Sequence, residues 1–475
     1  MNLVEFNKTK IIATVGPASN TKKKLKELVN AGTDVFRLNF AHGSWDDHAK
    51  VVKYVREINQ QLGTTICLLQ DLQGPKIRIE EVEKKTYIKE GDQLIITTKS
   101  VLGNAKKVST SYRGLPKDLS IGDTILVDDG KIELCVEAVK EQDVYTRVIF
   151  GGKLKSRKGI NLPNTKISAP SLTAKDANDL KFAIEHDIEW VAMSFVRKAS
   201  DIIQLRKKIE KAGKETLIIA KIEKPEAIRN IDEIINVSDG IMVARGDLGV
   251  EIRSEEVPML QKIIVEKCRK VAKPVIIATQ MMESMIENPR PTRAETNDIA
   301  NAVLDGADTL MLSGETAVGA YPVEVIRSMV NTIRNVEEKG DIYYKLYPLD
   351  EESDYFLNDS VVHMSAQLAN YTNAKAMIGL THRGYTAFKL SSYRPQACIF
   401  IFTNNKPFIN TMNLVWGLRG IYYNRSESTD TTISDIYELL KKNDYVKKGD
   451  IIINLAAMPI NKPGRVNTLQ VNKIK

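Results

Sequence analysis

Eight short apolar runs rich in β-formers recur along the chain with helix-patterned segments between them, and this alternation restricts the possible folds severely. The runs are Lys10–Val15, Asp34–Asn39, Thr65–Leu69, Trp190–Phe195, Leu217–Ile222, Gly240–Ala244, Pro274–Thr279 and Thr309–Leu312. Between the first three lie amphipathic helices at Leu25–Ala31 and Ala49–Gln60. Strands that alternate with helices pair in parallel, because each parallel connection needs a crossover. Eight such units predict a closed (β/α)8 barrel of the TIM type, whose usual size is about 250 residues.

The spacing breaks between the third and fourth runs. From Asp71 to Trp190, Val, Ile, Leu and Thr alternate with polar residues, punctuated by Gly91-Asp92, Gly122-Asp123, Asp129-Gly130 and Gly151-Gly152. Short strands separated by such turns read as a small all-β domain inserted in a barrel loop. After Val336 the barrel pattern ends. Helical stretches at Ser360–Tyr371 and Ser434–Lys442, with strands at Ala374–Leu380, Ala397–Phe402 and Asp450–Asn454, predict a C-terminal α/β domain. A chain of 475 residues is long enough for roughly three domains at about 150 residues each. The expected division is a barrel at 1–74 and 160–338, a β lid at 75–159, and a C-terminal domain at 345–475.

Composition narrows the class. Hydrophobic residues make up 43% and charged residues 27%, the balance of an ordinary globular protein. The four cysteines stand far apart without a CxxC pair, and there is no HExxH. A reduced cytosolic protein without disulfides or a zinc site is expected. Met1–Lys10 contains no apolar core of a secretory signal, and no apolar run reaches membrane-spanning length. The net charge of +8 admits a nucleic-acid surface, but no recognised module or aromatic interleaving supports one. Anionic small substrates account for it equally well.

In a parallel barrel, active residues lie at the carboxyl ends of the strands. Polar groups collect there. The second strand ends in Arg37-Leu38-Asn39, with Arg37 and Asn39 on one face. The third ends at Asp71, the fifth at Lys221-Ile222-Glu223, the sixth at Arg245-Gly246-Asp247 and the seventh at Thr279. The eighth runs into Ser313-Gly314-Glu315. Each alone has a structural explanation, such as a buried ion pair for Lys221 or a helix N-cap for Asp247. Together they mark one mouth. Glu223 and Asp247 offer hard oxygens suited to Mg²⁺, which keeps waters and shares substrate oxygens. Arg37 can fork onto a phosphate, and Lys221 adds a point charge. Cations around a transferring phosphoryl group are the requirement of phosphoryl transfer, yet the chain has no GxxxxGK[ST] loop.

These strand ends closely resemble the pyruvate kinase family. The matching segments are TVGPAS (Thr14–Ser19), RLNFAHG (Arg37–Gly43), DLQGPKIR (Asp71–Arg78), AKIEK (Ala220–Lys224), MVARGDLGVE (Met242–Glu251), ATQMMESM (Ala278–Met285), PTRAE (Pro291–Glu295) and MLSGETA (Met311–Ala317). The resemblance implies phosphoenolpyruvate and ADP as substrates, Mg²⁺ with Mn²⁺ as a substitute, a homotetramer, and a cytoplasmic location without nucleic-acid or membrane partners. It implies Mg²⁺ ligation by Glu223 and Asp247, and phosphate binding by Arg37 and Lys221. The substrate carboxylate falls to the Gly246 and Asp247 backbone and to Thr279, which also helps place the proton donor for the enolate. For ADP it implicates Pro17, Asn39, His42, Arg78 and, from the lid hinge, Lys158.

Two departures stand out. The family's monovalent-cation position uses Asn39- and Asp71-type oxygens, a serine, and the residue that is here Leu72. The serine is Ala41 in this chain, and the family's DTKGPEIR is DLQGPKIR, with Lys76 replacing a glutamate. Potassium-independent members share the Leu72-Gln73…Lys76 pattern, so turnover without K⁺ is expected, the Lys76 ammonium taking the ion's role. In the C-terminal domain, Thr381–Thr386 follows a strand and precedes a helix, a plausible phosphate cradle. It carries Arg383 where the family's effector loop has hydroxyls, so a phosphorylated effector is possible and fructose 1,6-bisphosphate is not favoured. Asn467–Val471 resembles the family's closing strand, and the domain is expected to be complete. Two other readings remain at this stage: a Mg²⁺-dependent lyase or aldolase acting on enolates, and a catalytically silent binding protein.

Overall fold

The structure, a computed structural model, describes residues 7–163, 165–381, 384–424, 429–458 and 464–475. Eight parallel strands close into a barrel in chain order: Lys10–Thr14, Val35–Asn39, Cys67–Asp71, Trp190–Met193, Leu217–Ile222, Gly240–Ala244, Val275–Ala278 and Thr309–Leu312. The first and last strands close the ring, with Ile12 opposite Met311. Helices between them start and stop where local chemistry demands. Ser44 and Asp47 form a capping box at the start of helix Trp45–Leu62, and Gly63 ends it in a left-handed turn. Thr292 and Glu295 do the same at the start of Arg293–Asp305.

The barrel interior is a cluster fed by the strands: Ile12, Val35, Leu69, Ala192, Ile219, Met242, Ile276 and Met311 are buried together. Side chains alternate along a strand, so the next inward position toward the carboxyl end is two residues on. There the character changes from apolar to polar: Thr14, Arg37, Asp71, Ser194 and Lys221. One end of the barrel is therefore a hydrophobic plug and the other a polar mouth. The plugged end is covered by the C-terminal region, where Trp190 donates its indole N–H to the Thr411 carbonyl at 3.2 Å and the Thr309 hydroxyl donates to the Leu414 carbonyl at 2.7 Å.

The insertion after the third strand is a six-stranded sheet with its own core, including Ile96, Leu134, Val136 and Val144. Its long hairpin pairs Ile132–Lys140 with Asp143–Phe150, and the turn before it has Gly130 at φ 80°, a conformation that favours glycine. The sheet reaches further than the expected lid boundary at 159. Ile160 and Asn161 pair with Val127 and Leu126, so the return to the barrel comes later, because this last short strand satisfies its backbone in the lid.

The C-terminal sheet runs Leu418–Tyr422, Cys398–Thr403, Ala376–Leu380, Ile451–Ala456 and Thr468–Lys473, with only the last strand antiparallel. Leu418–Tyr422 was not anticipated; it is a half-exposed edge strand containing Gly420, too weakly patterned to be recognised. His382 and Arg383 of the Thr381–Thr386 segment lie outside the described residues. Among the described residues, no helix is long and apolar enough to cross a membrane.

Candidate active site

The polar mouth is built around Asp71, which is 1% exposed. Its Oδ2 accepts from Arg37 Nε at 2.7 Å and its Oδ1 from Lys221 Nζ at 3.2 Å. The Arg37 guanidinium also donates to Thr14 Oγ1 at 3.0 Å. Lys221 continues the network to Glu223 Oε1 at 2.9 Å and to Ser194 Oγ at 2.7 Å. Ser194 in turn donates to the Leu72 carbonyl at 2.7 Å. Five strands thus contribute to one continuous buried network.

Charge is arranged so that Lys221 stays charged. Burial works against the Lys221 ammonium, but Asp71 and Glu223 outweigh it and hold its pKa above the usual lysine value. Burial likewise opposes the Asp71 carboxylate, yet Lys221 and Arg37 keep its carboxyl below the ordinary range. Glu223 differs. Burial pushes its pKa up, Lys221 opposes this, and the nearby charge of Asp247 adds to the rise. A buried carboxylate with a second carboxylate beside it is a site where an added cation is welcome.

Asp247 sits in the short helix Arg245–Glu251 that follows the sixth strand. Its Oδ1 accepts from Lys76 Nζ at 3.0 Å. Lys76 thus reaches into the mouth from the start of the lid and does not point to solvent. Gly246 N donates to Thr279 Oγ1 at 2.7 Å, so one of the two backbone groups expected for a carboxylate is engaged by a hydroxyl. Thr279 has φ 71° and Gln280 φ 55°, left-handed values that cost energy in a β-branched residue. Arg245 holds this turn. It donates to the Thr279 carbonyl at 2.9 Å and makes a bidentate pair with Asp298, both contacts at 2.7 Å.

The remaining candidates lie around this centre. Asn39 is half-buried and accepts from Ala41 N at 3.1 Å. Pro17 is exposed in the loop after the first strand. Partial burial lowers the His42 imidazole, and the charges of Arg78, Arg37 and Lys76 lower it further, which places these four in one electrostatic neighbourhood. Arg78 bridges to Gly159 within the lid hinge and donates to the Arg157 carbonyl at 3.1 Å. Lys158 remains in the lid, paired with Asp128 at 2.8 Å, and is not brought to the Arg37–Lys221 network.

Three contributors were not singled out from the sequence: Thr14, Ser194 and Asp298, the partner of the strand-end Arg245. Ser194 was findable, because it continues the inward parity of Trp190 and Ala192. Its importance also explains Gly74, at φ 68°, where a Cβ would stand 2.9 Å from Ser194 Cβ. Asp298 lies on a helix 53 residues after Arg245, and no local pattern links them.

The matches to known proteins agree with this architecture. Residues 6–326 fit the profile of the pyruvate kinase barrel domain and 359–472 that of the pyruvate kinase alpha/beta domain. The chain belongs to the pyruvate kinase family. The pyruvate kinase of Geobacillus stearothermophilus is 41% identical over 471 residues, 98% of this chain and 80% of that one. The enzyme of Bacillus licheniformis is 41% identical over 470 residues, with the same coverage. A crystal structure of a pyruvate kinase from Cryptosporidium parvum superposes with a TM-score of 0.92 at 34% identity, covering 99% of this chain and 96% of that one. Membership of this family makes the chain a phosphotransferase.

Proposed function

We propose that the chain transfers the phosphoryl group of phosphoenolpyruvate to ADP, giving pyruvate and ATP in the last step of glycolysis. The observation that carries this reading is the buried Arg37–Asp71–Lys221–Glu223 network with Asp247 beside it. Arg37 and Lys221 bind the phosphate, and Lys221 stabilises the charge spread over the phosphoryl oxygens in transit. Asp71 holds both cations in place. The Gly246 and Asp247 backbone and Thr279 orient the carboxylate, and Thr279 helps position the proton donor that completes pyruvate.

Glu223 and Asp247 fit Mg²⁺ by their chemistry: two hard carboxylates and, among the described residues, no third His, Cys, Asp or Glu grouped with them. Such a pair suits an ion that keeps waters and substrate oxygens, with Mn²⁺ as a substitute. The ion supplies positive charge to the phosphoryl oxygens. Pro17, Asn39, His42 and Arg78 receive ADP, and closure of the lid brings Lys158 to it and excludes water.

The same reading makes turnover independent of K⁺. The Asp71 oxygens are taken by Arg37 and Lys221, the Leu72 carbonyl by Ser194 and the Asn39 side chain by Ala41 N. Lys76 brings a fixed positive charge to the mouth. The enzyme acts in the cytoplasm as a homotetramer made of barrel, lid and C-terminal domains, the last open to a phosphorylated effector.

The test is pyruvate formation from phosphoenolpyruvate, ADP and Mg²⁺ in K⁺-free buffer. Robust turnover supports both parts. Activity only after K⁺ is added keeps the reaction and removes the role of Lys76. No activity in either buffer refutes the assignment.

A further inference from the structure

A third buried carboxylate stands behind the Glu223–Asp247 pair. Glu251 ends the short helix Arg245–Glu251 and is 2% exposed. Its Oε1 accepts from Lys224 Nζ at 2.7 Å and from Asn161 Nδ2 at 2.9 Å. Lys224 and Asn161 are buried as well. Its Oε2 is buried and has no hydrogen-bond partner among the described residues. A carboxylate at the carboxyl end of a helix meets backbone carbonyls rather than N–H groups. A buried ion pair with one oxygen unmet adds little to stability. The consequence of this arrangement lies in the segments it joins.

Each of its three members leads to the mouth. Lys224 directly follows Glu223, just past the fifth barrel strand. Glu251 stands one helical turn after Asp247, so the two carboxylates share a helix face, with Cβ atoms roughly 5–6 Å apart. Asn161 ends the last strand of the lid, Ile160–Asn161. Its neighbour Ile160 donates its backbone N–H to the Ile77 carbonyl at 2.9 Å, and Ile77 follows Lys76, which reaches Asp247 at 3.0 Å. The outgoing and returning segments of the lid are thus paired with each other, and both touch this one helix face. Lys76 meets it at Asp247 and Asn161 meets it at Glu251.

The helix needs such anchors. It has 7 residues and no side-chain cap at its start, too short to hold an orientation by its own hydrogen bonds. Arg245 on Asp298 fixes its first residue, and Lys224 on Glu251 fixes its last.

We propose that Glu251 is a positioning residue for the Glu223–Asp247 pair, and that Asn161 gives the lid a share in the same anchor. The inference rests on the reading that this pair holds the divalent ion. Lys224 draws the far end of the helix toward the fifth strand, so the spacing of the two ligand carboxylates is set from behind by a charge pair that solvent does not screen.

The test is the dissociation constant of Mn²⁺ for the full chain without substrates, read from the electron paramagnetic resonance of free Mn²⁺. Glu251→Gln is expected to weaken binding by at least about tenfold. Part of that loss is charge, so Lys224→Met combined with Glu251→Gln, which leaves the net charge unchanged, is measured beside it. The double variant leaves no unpaired charge buried and is expected to melt within about 3 °C of the parent. It is still expected to bind Mn²⁺ at least about fivefold more weakly, which a merely stabilising pair would not produce. Asn161→Ala changes no charge either, and the loss of its one hydrogen bond is expected to weaken binding by about threefold to fivefold. Should Glu251→Gln not fold, the double variant decides. Asp247→Asn separates the two readings. If it binds Mn²⁺ as the parent does, the metal reading falls and this inference with it. If it loses the ion while the double variant binds like the parent, this inference alone is overturned. Parent-like binding by Asn161→Ala, with loss in the double variant, overturns the share of the lid.

Discussion

Replacing Asp71 with asparagine removes the anion that holds two buried cations, and its cost can be worked from the contacts. In the parent, Arg37 Nε and Lys221 Nζ reach the two carboxylate oxygens at 2.7 and 3.2 Å, with the aspartate side chain 1% exposed. An amide keeps one oxygen for Arg37 but turns an N–H group toward the other cation. Lys221 then keeps Glu223 as its charged partner, with the neutral Ser194 hydroxyl beside it. Breaking a buried pair from one side costs about 3–5 kcal/mol. For a domain of barrel size that corresponds to a loss of roughly 6–20 °C in melting temperature. The pH dependence has a definite sign. The folded-state pKa of Asp71 is depressed below its usual 3.8, so its contribution is fully present above that value. It is lost as pH falls through the folded pKa. The gap between parent and Asp71→Asn should therefore stay constant from pH 7 down to the unfolded value and narrow only below it. Calorimetry across that range provides the measurement. A loss under about 2 °C at pH 7, or a gap that closes well above 3.8, would refute the argument.

Lys221→Met should lower kcat by about 10²–10³-fold, the cost of removing one preorganised charge from the transferring group, with little change in the KM for ADP; steady-state kinetics checks this. Lys76→Glu places a second anion beside Asp247, and activity in K⁺-free buffer should fall by at least about tenfold and recover when K⁺ is added. Equal activity of this variant with and without K⁺ would remove Lys76 from the account.

Much of this architecture is legible in the chain. Six of the eight barrel strands were bounded within one residue at both ends, because buried parallel strands are short continuous apolar runs with sharp ends. The inserted sheet announced itself by alternation and turns. Its end did not: Ile160–Asn161 is two residues long, and its place in the lid is set by pairing with a strand more than thirty positions earlier. At the mouth, Arg37, Asp71, Lys221, Glu223 and Asp247 were visible as polar residues at strand ends. Ser194 and Thr14 were not singled out, since small hydroxyl residues are common wherever a strand stops.

What the sequence by itself determined is the periodicity: which segments are strands or helices, which strand ends carry charge, and which family the segments resemble. Local patterning and short-range sterics suffice for that. What only the tertiary structure decided is partnership. Asp71 between Arg37 and Lys221, Lys76 on Asp247, Arg245 on Asp298 and Arg394 on Asp308 all join residues far apart in the chain. Coulombic energy depends on separation and burial, and neither exists until the barrel has closed and the C-terminal domain has docked beneath it.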